Sequence, residues 1–155
     1  MTEYDISSLT LQIQQNPNNF IAYCNRGNAY RDLGQYERAI QDYSTAIAIN
    51  PNNGTLYYNR GIAYDDLKQY ELAILDFNKA IDLNRNDYMA YSCRGRAYGI
   101  LGNFNQAIAN ITKAIHINPN DAKSYYNRGI LYEELGYNEK AQADFAKARE
   151  LGYNG

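Results

Sequence analysis

The chain has 155 residues, 45% hydrophobic and 21% charged, a composition that supports a buried core and argues against disorder. Fifteen Lys and Arg against seventeen Asp and Glu give a net charge of −2, which argues against a basic surface for nucleic acid or an anionic membrane. One histidine and two cysteines give little support to a zinc site or a disulfide framework. With no secretory signal and no apolar run long enough to cross a membrane, we expect a cytoplasmic protein that uses no cofactor or metal.

The first predicted element is a helix over residues 3–16. Ile6, Leu9 and Ile13 recur at helical spacing, and Pro17 follows at the end of the segment. In the register of the repeats described next, these three residues occupy the apolar stripe of a second-type helix. We therefore expect residues 1–19 to form a capping helix that covers the first repeat.

A 34-residue repeat accounts for the rest of the chain. The fragment Tyr-x-x-Arg-Gly occurs four times at intervals of 34 residues, which predicts repeats over 20–53, 54–87, 88–121 and 122–155, stacked as one solenoid domain. Numbered from 1 within each repeat, positions 4 and 11 are Tyr, position 8 is Gly, and positions 20 and 27 are Ala in all four. Each repeat therefore carries the same internal pattern.

Each repeat is predicted to contain two helices. Positions 4, 7, 8 and 11 share one face of a first helix, and positions 17, 20, 21, 24, 27 and 28 form the apolar stripe of a second. Position 15 is glycine except for Lys68, which we expect to be strained in a left-handed turn. Pro51 and Pro119 end second helices, because proline cannot continue a helix. The residues expected to cap the helix that follows are Asn19, Asn53, Asp87 and Asp121.

This pattern resembles the tetratricopeptide repeat, from residue 20 to the end of the chain. The resemblance implies an all-α fold, a right-handed α-solenoid (superhelix) of antiparallel helix pairs with about nine helices. It also implies a protein–protein interaction module, with a concave groove for an extended or helical segment of a partner protein. Repeats of the form Tyr-x-Asn-Arg-Gly look like those of bacterial proteins. In the last repeat, Gln142 and Arg149 replace apolar residues of the earlier repeats, which predicts a polar carboxyl-terminal cap.

Two repeated side chains have alternative interpretations. Position 7 carries Arg in every repeat. These arginines could form a row that binds the phosphates or carboxylates of a ligand. They could instead pair within the fold with the residues at position 23, which are Asp42, Asp76, Asn110 and Asp144. We favour bidentate Arg–Asp pairs, because a partly buried charge requires a partner. The 17 tyrosines suggest a stacking platform for single-stranded nucleic acid, but most occupy predicted core positions, so we favour core packing.

The predicted groove contains an amide row and a set of apolar anchors. The row at position 6, Asn25, Asn59 and Asn127, is interrupted by Cys93 and resembles the asparagine ladders that hold a peptide backbone. Asn is also simply the common residue at position 6, which would need no ligand. Both interpretations remain open. Candidate apolar anchors are Tyr58, Ile62, Met89, Tyr126 and Ile130, unless they are ordinary scattered surface residues. Asn28, Arg96 and the acids Asp65, Asp66, Glu133 and Glu134 complete the candidate site, which predicts a partner with apolar and basic side chains.

Family members that bind chaperone carboxyl termini use a carboxylate clamp of three basic residues and two Asn. At those positions this chain has Cys24, Asn28, Asn59, Met89 and Cys93, so the basic residues are missing. We therefore expect no C-terminal carboxylate ligand. The sequence contains no Ser-His-Asp set and no phosphate loop, so we expect no enzyme. The favoured role is a monomeric adaptor or scaffold in a larger complex, and the alternative is a self-associating structural scaffold with no groove ligand.

Overall fold

The computed structural model describes residues 3–153, with side chains from Ile6 onwards. Within that range every element is an α-helix, which confirms the predicted all-α helical repeat solenoid of about nine helices. In chain order the helices are α1 (Glu3–Gln15), α2 (Phe20–Asp32), α3 (Tyr36–Ile49), α4 (Gly54–Asp66), α5 (Tyr70–Leu83), α6 (Tyr88–Ile100), α7 (Phe104–Ile117), α8 (Ala122–Glu134) and α9 (Asn138–Glu150). No helix of residues 3–153 is both long and apolar enough to cross a membrane.

The turn inside each repeat requires one residue with positive φ. Gly34, Gly102 and Gly136 have φ of 72°, 78° and 74°, and Lys68 has φ of 59° at the equivalent place. The amide of the next residue then reaches back to the first helix, as in Gln69 N–H to the Tyr64 carbonyl at 2.9 Å. The predicted left-handed turn at Lys68 is therefore confirmed, and we expect strain there because only glycine adopts this conformation without cost.

Three of the four predicted caps are confirmed. The side chains of Asn19, Asn53 and Asp87 accept hydrogen bonds from amides in the first turn of α2, α4 and α6. The prediction is wrong for Asp121, whose side chain makes no such bond. Its carboxylate accepts instead from the hydroxyl of Ser124. The same hydroxyl is hydrogen-bonded at 2.8 Å to that of Ser92 on α6.

The chain divides into two compact units, Met1–Asn84 (unit 1) and Arg85–Gly155 (unit 2). In unit 1 each of α1 to α4 packs on the helix that follows it, and α2 also touches α4. Leu9 and Ile13 of α1 are buried against Ala22, with Tyr23 beside them. A Cβ at Gly27 would lie 2.7 Å from Cε1 of the Tyr43 ring, so only glycine allows α2 and α3 to pack this closely.

Unit 2 repeats the arrangement with α6 to α9. Its core includes Ala107, Ile111 and Leu131, with Phe104 partly buried against them. The ring of Phe145 fills the space beside Gly129. On α9 the polar side chains Gln142 and Arg149 are exposed.

Candidate functional site

The arginines at position 7 are bound within the fold. Three of them form bidentate pairs with the second helix of their own repeat: Arg26 with Asp42, Arg60 with Asp76 and Arg128 with Asp144, each at 2.7 Å from Nε and 2.8 Å from Nη2. In the third repeat the partner is an amide, and Arg94 Nε donates to Asn110 Oδ1 at 2.8 Å. These pairs confirm the structural interpretation, and the hydrogen bonds to Asp raise the pKa of each paired guanidinium.

The remaining nitrogen of each paired arginine reaches backwards along the chain. Arg60 Nη1 donates to the Ser44 hydroxyl at 3.0 Å, and Arg26 and Arg128 donate to Thr10 and Thr112 at 3.1 Å. Each arginine therefore joins its own first helix to the second helices before and after it. Sequence analysis missed these hydroxyl groups, although all three stand at position 25, sixteen residues before the arginine.

The tyrosines at positions 4 and 11 lie on either side of the same guanidinium groups. The Arg60 guanidinium carbon is 5.8 Å from the centroid of the Tyr57 ring and 5.9 Å from that of Tyr64. Arg26 and Arg128 have equivalent pairs of rings. These rings are half-buried, and among the tyrosines from Tyr23 to Tyr153 only Tyr43 is buried completely. The rings therefore serve cation–π packing within the fold instead of forming a free stacking platform.

On the α2 and α4 face of unit 1, two predicted groove residues are hydrogen-bonded to other residues of the fold. Asn59 Nδ2 lies 3.5 Å from Cys24 Sγ, and the Tyr43 hydroxyl donates to Asn28 Oδ1 at 2.7 Å. Asn25 is exposed. Burial raises the pKa of the Cys24 thiol, and the hydrogen bond from Asn59 opposes that shift. Both cysteines are free thiols.

The other predicted residues of this face lie along α4. Tyr58 is half-buried, with its ring centroid 6.0 Å from that of Phe77, and Ile62 is half-buried one turn later. Asp66 is exposed at the end of the helix, whereas Asp65 is buried, with 8% of its surface accessible. Of the two acids, Asp66 is the one placed at the surface.

The α6 and α8 face of unit 2 carries the other half of the predicted residues. Met89 is 46% exposed, and Glu133 and Glu134 are exposed at the end of α8. Tyr126 packs against Phe145 and Tyr153, with ring centroids 5.7 and 4.5 Å away. One face of this predicted anchor is therefore occupied by residues of the last repeat.

A cavity of about 450 Å³ opens on this face of unit 2. Its walls come from α6, α7 and α8, and its lining residues are Arg96, Gly99, Ile100, Phe104, Ile111, Asn127, Ile130, Leu131 and Glu134. The cavity brings together four residues of the predicted groove, Arg96, Asn127, Ile130 and Glu134. It is the structure's main addition to the site, because sequence analysis named these four residues but no depression between them.

The cavity lies where the third repeat departs from the others at positions 12 and 13. These positions hold Gly99 and Ile100 here, but charged residues in each of the other three repeats. A Cβ at Gly99 would lie 2.7 Å from Leu131 Cδ2, so the glycine leaves room for that leucine in the cavity wall. Ile100 adds an apolar wall that is 49% exposed. This break in the repeat pattern was the available sequence signal.

Other candidate chemistry is sparse in the part of the chain that the structure describes. Residues 3–153 contain no group of three or more His, Cys, Asp and Glu placed to hold a metal ion. His116 is exposed in the last turn of α7.

Comparison with known proteins gives one consistent result. A family profile described as TPR repeat matches residues 27–68 and 95–136, and profiles described as tetratricopeptide repeat match 55–87, 77–109 and 122–151. No curated protein sequence matches the chain.

Solved structures add matches over most of the chain. A crystal structure of MamA is 28% identical and superposes with a TM-score of 0.86, over 94% of this chain and 85% of that one. The first tetratricopeptide domain of Spaghetti (RPAP3), bound to the HSP90 peptide SRMEEVD, is 30% identical with a TM-score of 0.74, over 76% and 93%. The tetratricopeptide domain of Arabidopsis OM64 is 27% identical with a TM-score of 0.71, over 74% and 94%. The repeated helix pairs, the profile matches and these structures together show that the chain belongs to the tetratricopeptide-repeat family and is a protein-interaction module.

Proposed function

We propose that this protein binds a segment of a partner protein on the faces formed by its first-type helices, α2 and α4 in unit 1 and α6 and α8 in unit 2, and acts as an adaptor in a larger complex. The observation that carries the proposal is the cavity of unit 2. Ile100 and Ile130, 49% and 38% exposed, lie at its walls, and exposed apolar side chains grouped at a concavity are typical of binding surfaces.

The charge of the exposed groove residues indicates the partner's chemistry. Asp66, Glu133 and Glu134 are exposed acids close to the apolar anchors in sequence and on the same helices. Such a margin favours a segment with Lys or Arg beside its apolar side chains. The amides of Asn25, Asn59 and Asn127 suit contact with peptide groups, because each offers both a donor and an acceptor.

The ligand of the Spaghetti (RPAP3) domain is an acidic peptide, SRMEEVD. In our proposal this chain binds a different class of peptide. Cys24, Met89 and Cys93 occupy the positions where a carboxylate clamp would have basic residues. A peptide carboxyl terminus would therefore lose its charge partners, and we expect SRMEEVD to bind at least about tenfold more weakly than a segment with internal apolar and basic residues.

A display experiment tests the proposal. Random peptides of about twelve residues are selected on the full chain, and the recovered peptides are titrated against Tyr58→Ala and against the triple variant Asn25→Ala/Asn59→Ala/Asn127→Ala. Circular dichroism checks that each variant is folded. The matched control is Leu75→Ser, which changes an apolar side chain of α5 that is 63% exposed outside these faces. Loss of affinity in the groove variants alone supports the proposal, whereas equal affinity in all variants contradicts it.

The proposal also includes a monomer in a reducing compartment such as the cytoplasm. Two free thiols fit a compartment that keeps cysteines reduced. The exposed Gln142 and Arg149 give α9 a polar face that does not favour stacking of a further copy. Light scattering over a range of concentrations tests this part, and a mass that rises with concentration would favour a self-associating scaffold.

A further inference from the structure

The cavity of unit 2 is lined by apolar groups on its inner side and by polar groups at its edge. Phe104, Ile111 and Leu131 belong to the partly or fully buried core of the unit, whereas Ile100 and Ile130 are exposed. Its volume of about 450 Å³ lies near the lower end of the roughly 300–1,000 Å³ found for ligand sites. That space fits one large side chain and the backbone next to it.

Three of the more exposed lining residues lie in order along α8, while Arg96 faces the cavity from α6. Asn127, Ile130 and Glu134 line the cavity from the same helix, at spacings of three and four residues, and so share one face. With about 1.5 Å of rise per residue, Glu134 lies about 6 Å beyond Ile130 along the helix axis. The helix therefore presents an amide, an apolar contact and a carboxylate in a row.

This spacing matches an extended peptide. A strand advances about 3.3 Å per residue, so about 6 Å corresponds to two residues, and side chains two residues apart point to the same side. The Asn127 amide also favours an extended ligand, because a helical ligand has already satisfied the backbone groups that an amide could bind.

We propose that the cavity is the anchor subsite for an extended segment of a partner protein with a large apolar side chain, Leu, Ile, Met or Phe, and a Lys or Arg two positions away. The apolar side chain fills the cavity beside Ile100 and Ile130. The basic side chain meets Glu134, with Glu133 next to it in sequence. This inference rests on the proposed function, and it adds the chemistry of the segment and the place where it is anchored.

Charge complementarity decides between this occupant and other apolar ligands. Glu133 and Glu134 are exposed carboxylates, and Arg96 is a cation in the cavity lining. Two carboxylates against one guanidinium favour a cation next to the anchor and disfavour an acidic segment. A neutral apolar small molecule would gain nothing from this charge. The same charge opposes a ligand of the SRMEEVD type, which carries three acidic residues and one arginine.

The test uses random peptides of about twelve residues displayed on phage and selected on the full chain. Recovered peptides should share an apolar residue with Lys or Arg two positions away. Their synthetic forms, measured by fluorescence polarisation, should lose at least about tenfold in affinity for Ile100→Ser/Ile130→Ser. Affinity for Leu75→Ser should not change. Both variants replace exposed apolar side chains by serine, and circular dichroism checks that each one is folded.

A charge exchange tests the second half of the motif. Selection on Glu133→Lys/Glu134→Lys should recover peptides with Asp or Glu in place of the basic residue. In the wild type, added salt should weaken binding of the Lys-containing peptides, because exposed charges are screened. Recovery of the same basic peptides by both proteins would overturn the proposed pairing.

The remaining outcomes separate this inference from the proposed function. Peptides that bind Ile100→Ser/Ile130→Ser as tightly as the wild type overturn the anchor subsite but leave peptide binding elsewhere intact. A basic residue three or four positions from the anchor indicates a helical ligand and overturns the extended segment. A dimer that dissociates in Ile100→Ser/Ile130→Ser would make a second copy the occupant. Failure to recover any binding peptide would overturn both proposals.

Discussion

The guanidinium of Arg60 donates two hydrogen bonds to the carboxylate of Asp76, at 2.7 Å from Nε and 2.8 Å from Nη2. The two side chains are 20% and 8% exposed, so the pair is largely removed from water. The same geometry recurs for Arg26 with Asp42 and for Arg128 with Asp144. From sequence alone, Arg60 could have been a ligand-binding group. In the structure its guanidinium is occupied by a hydrogen-bonded pair within the fold.

Replacement of Arg60 by Leu should destabilise the protein by about 3 kcal/mol, because Asp76 keeps a buried charge without its cation. Urea unfolding followed by circular dichroism measures the effect. The double variant Arg60→Leu/Asp76→Leu should recover most of the loss, since it leaves no buried charge behind. If the single variant unfolds at the wild-type urea concentration, the pair is not a source of stability.

Replacement of Gly61 by Ala should cost about 1–3 kcal/mol, because the new Cβ would lie 2.7 Å from Cε1 of the Phe77 ring. The better helix propensity of alanine offsets part of that cost. Replacing the ring of Phe77 by the shorter side chain of leucine should relieve the contact. Thermal unfolding of Gly61→Ala and Gly61→Ala/Phe77→Leu makes the comparison, and a single variant more stable than the wild type would contradict it.

Replacement of Lys68 by Gly should stabilise the protein by about 0.5–1 kcal/mol. Lys68 has φ of 59°, a conformation that costs an L-residue roughly 1–2 kcal/mol, and the greater freedom of glycine in the unfolded chain returns part of the gain. The reverse exchange, Gly102→Lys, is the matched control. Nothing lies within 4 Å of a Cβ at Gly102, so the expected loss is due to backbone strain alone. Equal urea midpoints for all three proteins would show that the turn is not strained.

Alkylation of Cys24 should be slower than that of an unburied thiol at the same pH. Burial raises the pKa of Cys24, so less of the reactive thiolate is present and the alkylation profile moves to higher pH. The measurement uses iodoacetamide and a Cys93→Ser background, in which Cys24 is the remaining cysteine. Asn59→Ala should move the profile further up, because the hydrogen bond from that amide favours the thiolate. A profile centred near the ordinary value of about 8.5 would contradict the assigned burial.

Much of the fold could be predicted because the same residue types recur at the same positions in all four repeats. The left-handed turn at Lys68 and the Arg60–Asp76 pair both follow from register, since a residue inherits the environment of its equivalents. The cap at Asp121 failed for a local reason. Ser124 stands one turn later in the helix, and its hydroxyl competes for the carboxylate.

The candidate site was less predictable, because its cavity lies where the third repeat has Gly99 and Ile100 in place of charged residues. Gly99 has no side chain that would suggest a functional role. Its importance lies in the space that it leaves for Leu131 on another helix. Asp65 looked like an acid of the margin, yet it is buried. Helical spacing predicts the face on which a residue lies. Whether a residue at the border of that face is exposed or buried depends on how the neighbouring helices pack against it.

The arginine networks also set which helices should open last. In unit 1, Asp42 binds Arg26 and Ser44 binds Arg60, so α3 holds partners from both neighbouring first-type helices. In unit 2, α7 holds Arg94 through Asn110 and Arg128 through Thr112. Separation of either second-type helix must break two networks at once, whereas α1 and α9 each take part in one. Amide hydrogens of α3 and α7 should consequently exchange with solvent most slowly, and those of α1 and α9 should exchange sooner.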